Sequence, residues 1–168
     1  MDYKLISDEY KPTLINTLLN GEAPPPSGSS YFYVPEVMNP NIDIRTYSTL
    51  PATIFYHYYK TIPDSKEKYK LLLKKLERDG IFLIDICDIP LKIRDESLPG
   101  WINTDGLNAL IAEIPKLKDK IIDRIGTIDE YNITFLLARK HYKRYLKEHF
   151  PNAKYYAWKE FRMNNNLQ

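Results

Sequence analysis

The stretch Ile81-Phe82-Leu83-Ile84-Asp85-Ile86, entered through Gly80, holds five apolar residues around one charge. A strand with one wet face would alternate. This one does not, so its pattern predicts a strand covered on both faces, in a central, parallel position. The residues before it predict how one face is covered. Over 65–79, Tyr69, Leu72, Leu73 and Leu76 recur at helical spacing among Lys and Glu, an amphipathic helix that Gly80 stops.

Further strands and helices follow outward from this unit. Residues 13–19 form an apolar run that reads as a strand, ended by Asn20-Gly21 and by Pro24-Pro25-Pro26-Ser27-Gly28. The prolines fix φ and remove donors, which makes this loop rigid at low entropic cost. Pro51 suits the first turn of a helix over 51–60. Residues 89–100 read as a loop. Asn103 or Thr104 can cap a helix to about residue 115, and a second helix runs over 116–125. A third strand (132–137), a helix (138–149) and a short fourth strand (153–158) complete the order, with a polar, frayed tail from Met163. Strands alternating with helices predict an α/β fold: a three-layer sandwich around a mostly parallel four-stranded sheet, one domain over 1–168.

Composition narrows the chemistry. A single cysteine, Cys87, excludes an internal disulfide framework and a cluster held by several thiolates. His57, His141 and His149 have no metal-ligand spacing, and no P-loop, G-x-G-x-x-G or Ser-His-Asp signature is present. No metal and no cofactor are expected. The polar N-terminus lacks a signal-peptide pattern, and no apolar run approaches a membrane span, so the expectation is a soluble, cytoplasmic protein.

Charge is uneven. From Tyr131 to Gln168 there are 8 Lys/Arg against 2 Asp/Glu, which suggests an anionic partner. If 138–149 is helical, Lys140, Lys143, Arg144 and Lys147 form one stripe that could meet phosphates; the same stripe is also what a solvated helix face looks like. The 14 tyrosines fit core, interface or base-stacking roles equally.

Ligands of parallel α/β sheets bind beyond the carboxyl ends of the strands. Gly21-Glu22-Ala23-Pro24, the segment 85–88 and Trp158-Lys159-Glu160 lie at such ends. The first of these, Gly21-Glu22-Ala23-Pro24-Pro25 followed by Tyr31-Phe32-Tyr33, resembles the first motif of the uracil-DNA glycosylase superfamily, most closely its thermophile-type group. The resemblance covers most of the chain in architecture but only this motif in residues. It implies a uracil-DNA glycosylase-like fold and hydrolysis of the N-glycosidic bond of a base flipped out of DNA, single-stranded or damaged DNA included.

The resemblance implies that Glu22 positions water and stabilises the sugar cation; a Glu at a turn can instead simply bond backbone amides. Gly21, Ala23, Pro24, Tyr31, Phe32 and Asp85 would hold the base, with Tyr31 or Phe32 stacking on it, although part of the aromatic trio can be core. Asp85 stands where the family has an Asn. An ionised Asp only accepts, so it suits an exocyclic amine better than uracil; alternatively it is a buried charge paired with Lys or Arg. The family's His-Pro-Ser loop is replaced by Trp158-Lys159-Glu160, leaving Lys159 as the nearest cation, on an otherwise ordinary surface. The thermophile-type iron–sulfur cluster is excluded by the lone Cys87. Two alternatives stay open: a catalytically inactive nucleic-acid-binding relative, and a protein-binding α/β domain with a chance motif.

Overall fold

The computed structural model describes residues 1–46 and 49–164; the expected frayed tail past Asn164 lies outside them. The strands β1 (Thr17–Gly21), β2 (Ile81–Asp85), β3 (Ile133–Leu137) and β4 (Lys154–Ala157) form one sheet, order β2-β1-β3-β4, with every pair parallel. The helices are α1 (Tyr3–Asp8), α2 (Leu50–Tyr59), α3 (Lys66–Arg78), α4 (Thr104–Glu113), α5 (Leu117–Ile125), α6 (Lys143–His149) and α7 (Trp158–Met163).

Topology sorts these helices into layers. The β1-to-β2 crossover, through α2 and α3, steps one way along the sheet; the β2-to-β3 and β3-to-β4 crossovers step the other way. Crossovers of one hand that step in opposite directions lie on opposite faces. Accordingly, α7 packs on α2 as well as on β3 and β4, while α4, α5 and α6 gather at the 3-10 turn Ile114–Lys116. This is the three-layer α/β architecture expected.

Helix α3 shows how sequence becomes packing here. The Ser65 side chain caps it by accepting from the Lys68 amide, and Tyr69, Leu72, Leu73 and Leu76 are its buried residues. Burying four such side chains contributes roughly 6–12 kcal/mol against chain entropy. Gly80 ends the unit at φ +75, where an added Cβ would press on Asn16 and on the Leu14 carbonyl. No other residue fits there without moving the entry to β1.

Two expectations need correction. The first strand begins at Thr17, four residues later than read; Thr13 and Leu14 form an exposed bend, and the strand runs on through Gly21. Strand β2 is parallel but lies at the sheet edge rather than in its centre. Its apolar character comes from burial on both faces, since Ile81, Phe82, Leu83 and Ile84 are all buried, and its open edge is met by a side chain. The Tyr33 hydroxyl donates to the Leu83 carbonyl (3.0 Å) and accepts from the Leu83 amide (2.8 Å), satisfying the outer edge in place of a fifth strand. Tyr10 stacks on Tyr33, and Phe32 packs edge-on against it. Helices α1 and α7 are additions that the sequence reading did not contain.

Candidate functional site

The carboxyl ends of β1 and β2 carry the site. In the parallel register Gly21 lies opposite Asp85, so both face the same layer, that of Leu50 in α2. A Cβ on Gly21 would collide with the Asp85 carboxylate. Glycine is therefore required here for close approach, not for turn geometry. Backbone pairing continues past the strands: the Ile86 amide donates to the Gly21 carbonyl and the Cys87 amide to the Glu22 carbonyl, both at 3.0 Å.

Asp85 lines a cavity of about 680 Å³ with Pro24, Tyr31, Cys87, Lys120 and Arg124. Burial pushes its carboxyl up to about 7; Asp88 and Glu22 add to the rise, while Lys120 and Arg124 oppose it. Near neutrality the group exchanges its proton. In the protonated form it both donates and accepts, as a carboxamide does. The Lys120 ammonium is fixed beside it, donating to the Asp85 carbonyl (2.7 Å) and the Ile86 carbonyl (3.1 Å) and pairing with Asp88 (2.6 Å). Arg124 is tied to α1 through Asp8 at 3.0 Å and the Ser7 hydroxyl.

Tyr31 and Phe32 part company. Tyr31 reaches the cavity wall, with Tyr3 edge-on to its ring at 4.8 Å, and burial raises its phenol well above the ordinary value. Phe32 turns into the core against Phe55, and its carbonyl accepts from the Tyr69 hydroxyl. Ala23 packs, partly buried, on the core. Cys87 is buried, which pushes its thiol up to about 12.

Glu22 stands apart from this cavity wall. Its Oε2 accepts from Arg139 at 2.6 Å and its Oε1 from the Tyr142 hydroxyl at 2.7 Å. Both ends of the pair are largely buried, with side-chain exposures of 13% for Glu22 and 19% for Arg139. Tyr142 is fully buried, and burial with the neighbouring Glu22 charge raises its phenol strongly.

These two tethers also correct the basic helix. Residues 138–142 form a turn, because Arg139 and Tyr142 are both drawn to Glu22, and α6 starts only at Lys143. Lys140 is exposed on that turn and shares no helix with Lys143, Arg144 and Lys147. Arg144 bonds the Tyr145 hydroxyl at 2.6 Å, and Lys147 lies 5.7 Å from the centre of the Tyr155 ring. Lys159 is remote from Asp85 in cavity terms: it lines a second hollow at the ends of β3 and β4, together with Arg139.

The sequence reading missed Arg139, Tyr142, Lys120 and Arg124. Arg139 lies two residues past β3, so the strand-end rule could have found it. Lys116, Lys120, Asp123 and Arg124 share one helical spacing, the usual sign of a single face. Among the described residues, no three His, Cys, Asp or Glu are grouped to hold a metal ion, and no helix is long and apolar enough to cross a membrane. Compared with protein-family models, curated proteins and solved structures, the chain matches none.

Proposed function

We propose that this protein is a base-excision glycosylase-like enzyme, hydrolysing the N-glycosidic bond of a damaged base flipped out of DNA. The observation that carries this reading is convergence: Pro24, Tyr31 and Asp85, from three separate segments, line one cavity at the strand ends, beside the Gly21-Glu22 turn. Such a cavity lies within the size range of small-molecule sites.

In this reading the flipped base stacks on Tyr31 and is read by Asp85. Protonated Asp85 can donate to a carbonyl and accept an N–H, so keto bases such as uracil are compatible; ionised Asp85 favours an exocyclic amine. The Glu22 charge offsets the positive charge that develops on the sugar as the C1′–N bond breaks. Water then adds its oxygen to C1′, and its proton balances the departing base anion. Lys120 and Arg124 supply cationic walls in place of the family's His.

A second reading is favoured by one observation, the engagement of both Glu22 oxygens by Arg139 and Tyr142. A carboxylate held this way has less capacity to orient water, which fits a relative that binds nucleic acid without turnover. The test is base release from oligonucleotides carrying uracil, hypoxanthine, xanthine or a mismatched base, single- and double-stranded, with Glu22→Gln as control. Release that disappears in Glu22→Gln supports the enzyme. Release unchanged in that variant refutes the role of Glu22. Salt-sensitive binding without release supports the second reading.

A further inference from the structure

The chain has two tryptophans, and both line the second hollow, a cavity of about 530 Å³ between the segment 94–102 and the carboxyl ends of β3 and β4. Trp101 is 56% exposed, which is unusual for the largest apolar side chain. It is also held in place. Its residue has φ 59, after Gly100 at φ 68. The Asp95 amide donates to the Trp101 carbonyl (3.0 Å) and the Trp101 amide to the Leu98 carbonyl (2.9 Å). Arg94 and Ile102 form an antiparallel bridge, and the Asn103 amide donates to the Ile93 carbonyl at 2.7 Å. Lys92 pins the Asp95 carboxylate at 2.7 Å. The indole therefore projects from a hydrogen-bonded hairpin.

Charge around the hollow is one-sided. Arg94, Arg139 and Lys159 line it, and among the described residues no carboxylate does, although Arg139 is paired with Glu22 behind the wall. The Arg94 guanidinium sits 5.3 Å from the centre of the Trp101 ring; its pairing with Glu96 is between exposed groups and is weak in water. Lys159 is exposed and makes no ion pair among the described residues. On the opposite wall the Trp158 ring NH donates to the Leu136 carbonyl at 3.4 Å, which fixes the second indole to β3.

Flat aromatic faces beside two exposed cations, Arg94 and Lys159, suit a flat aromatic ligand that carries an anion. The geometry points to a second ligand site here, taking one nucleotide of a single-stranded nucleic acid, its base laid on Trp101 and its phosphate met by Arg94 and Lys159. This rests on the nucleic-acid reading above, and it extends the strand's path from the Asp85 cavity across the sheet end.

Because both tryptophans lie in this hollow, intrinsic fluorescence reports on it directly. The full chain would be titrated with an oligothymidylate of about eight nucleotides, following tryptophan emission and, separately, anisotropy of the labelled strand. Saturable quenching is expected. Trp101→Ala should weaken binding by about 5- to 100-fold, with partial recovery in Trp101→Phe, and Lys159→Ala should lower the salt slope by about one. Strand binding with no quenching and unchanged affinity in Trp101→Ala overturns the site while leaving the nucleic-acid reading intact. Absence of any anisotropy change at low salt removes that reading and the site with it. Equal affinity for thymidine monophosphate and the strand overturns the assignment to a strand.

Discussion

Replacing Asp85 by Asn keeps the shape of the side chain and removes its titration. In the folded protein burial holds the Asp85 carboxyl at about 7, against an ordinary 3.8. A raised acid has a definite linkage sign. The folded state binds the proton more tightly than the unfolded chain. Stability is therefore fully present below about pH 4 and is lost as pH rises towards 7, after which the deficit is constant. Each unit of separation is worth about 1.4 kcal/mol, so the total is on the order of 4 kcal/mol. About 2–3 kcal/mol of this falls between pH 5 and pH 8. Glu22, Asp88, Lys120 and Arg124 face the group in both proteins, so the comparison isolates Asp85 to first order. Urea unfolding of wild type and Asp85→Asn at both pH values reads the effect directly. Wild type should lose about 0.7–3 M more in midpoint than the variant as pH rises, for slopes of about 1–3 kcal/mol/M. Parallel losses would refute the claim that burial, rather than its cationic neighbours, dominates Asp85.

Three further changes test the framework around the site. Gly21→Ala pushes a methyl into the Asp85 carboxylate and should cost about 1–3 kcal/mol, a Tm drop of about 2–12 °C in a domain of this size; the cost should shrink in an Asp85→Gly background, and an additive double variant would sink the close-approach argument. Tyr33→Phe strips the Leu83 backbone of its hydroxyl partner and should cost about 1–3 kcal/mol, with faster hydrogen exchange at the Leu83 amide; unchanged exchange would show the β2 edge to be satisfied otherwise. Asn20 is buried, and neither its amide nitrogen nor its oxygen has a partner among the described residues. Asn20→Leu should therefore stabilise by about 1–3 kcal/mol, and a lowered Tm would mean the amide is bonded in solution.

The architecture was legible because it rests on periodicity. The 3.6-residue spacing of Tyr69, Leu72, Leu73 and Leu76 and the unbroken apolar run over 81–84 define one helix–strand unit without tertiary knowledge. Edge and centre were not separable, because a strand sealed by Tyr33 has the same hydrophobic pattern as one flanked by strands. Segment 138–149 misled for a related reason: its basic residues fit a helix, and only the pull of Glu22 on Arg139 and Tyr142 delays the first turn to Lys143. In the aromatic trio, neighbours part, with Tyr31 at the cavity wall and Phe32 in the core, and spacing alone does not say which of them faces the cavity. Asp85 was readable as a strand-end residue, but not its proton affinity, which burial in the folded chain raises against the opposing Lys120 and Arg124.

Arg139 has two claimants. One guanidinium nitrogen is committed to Glu22, while the same side chain forms part of the wall of the Trp101–Trp158 hollow. An anion entering that hollow and engaging Arg139 would loosen its hold on Glu22, and thermodynamic reciprocity requires the converse: whatever frees Arg139 from Glu22 must tighten the anion. Glu22→Gln, which removes one claimant's charge, should then strengthen occupancy of a site it does not touch. Glu22 and the second hollow would behave as one balance, with Arg139 as its pivot.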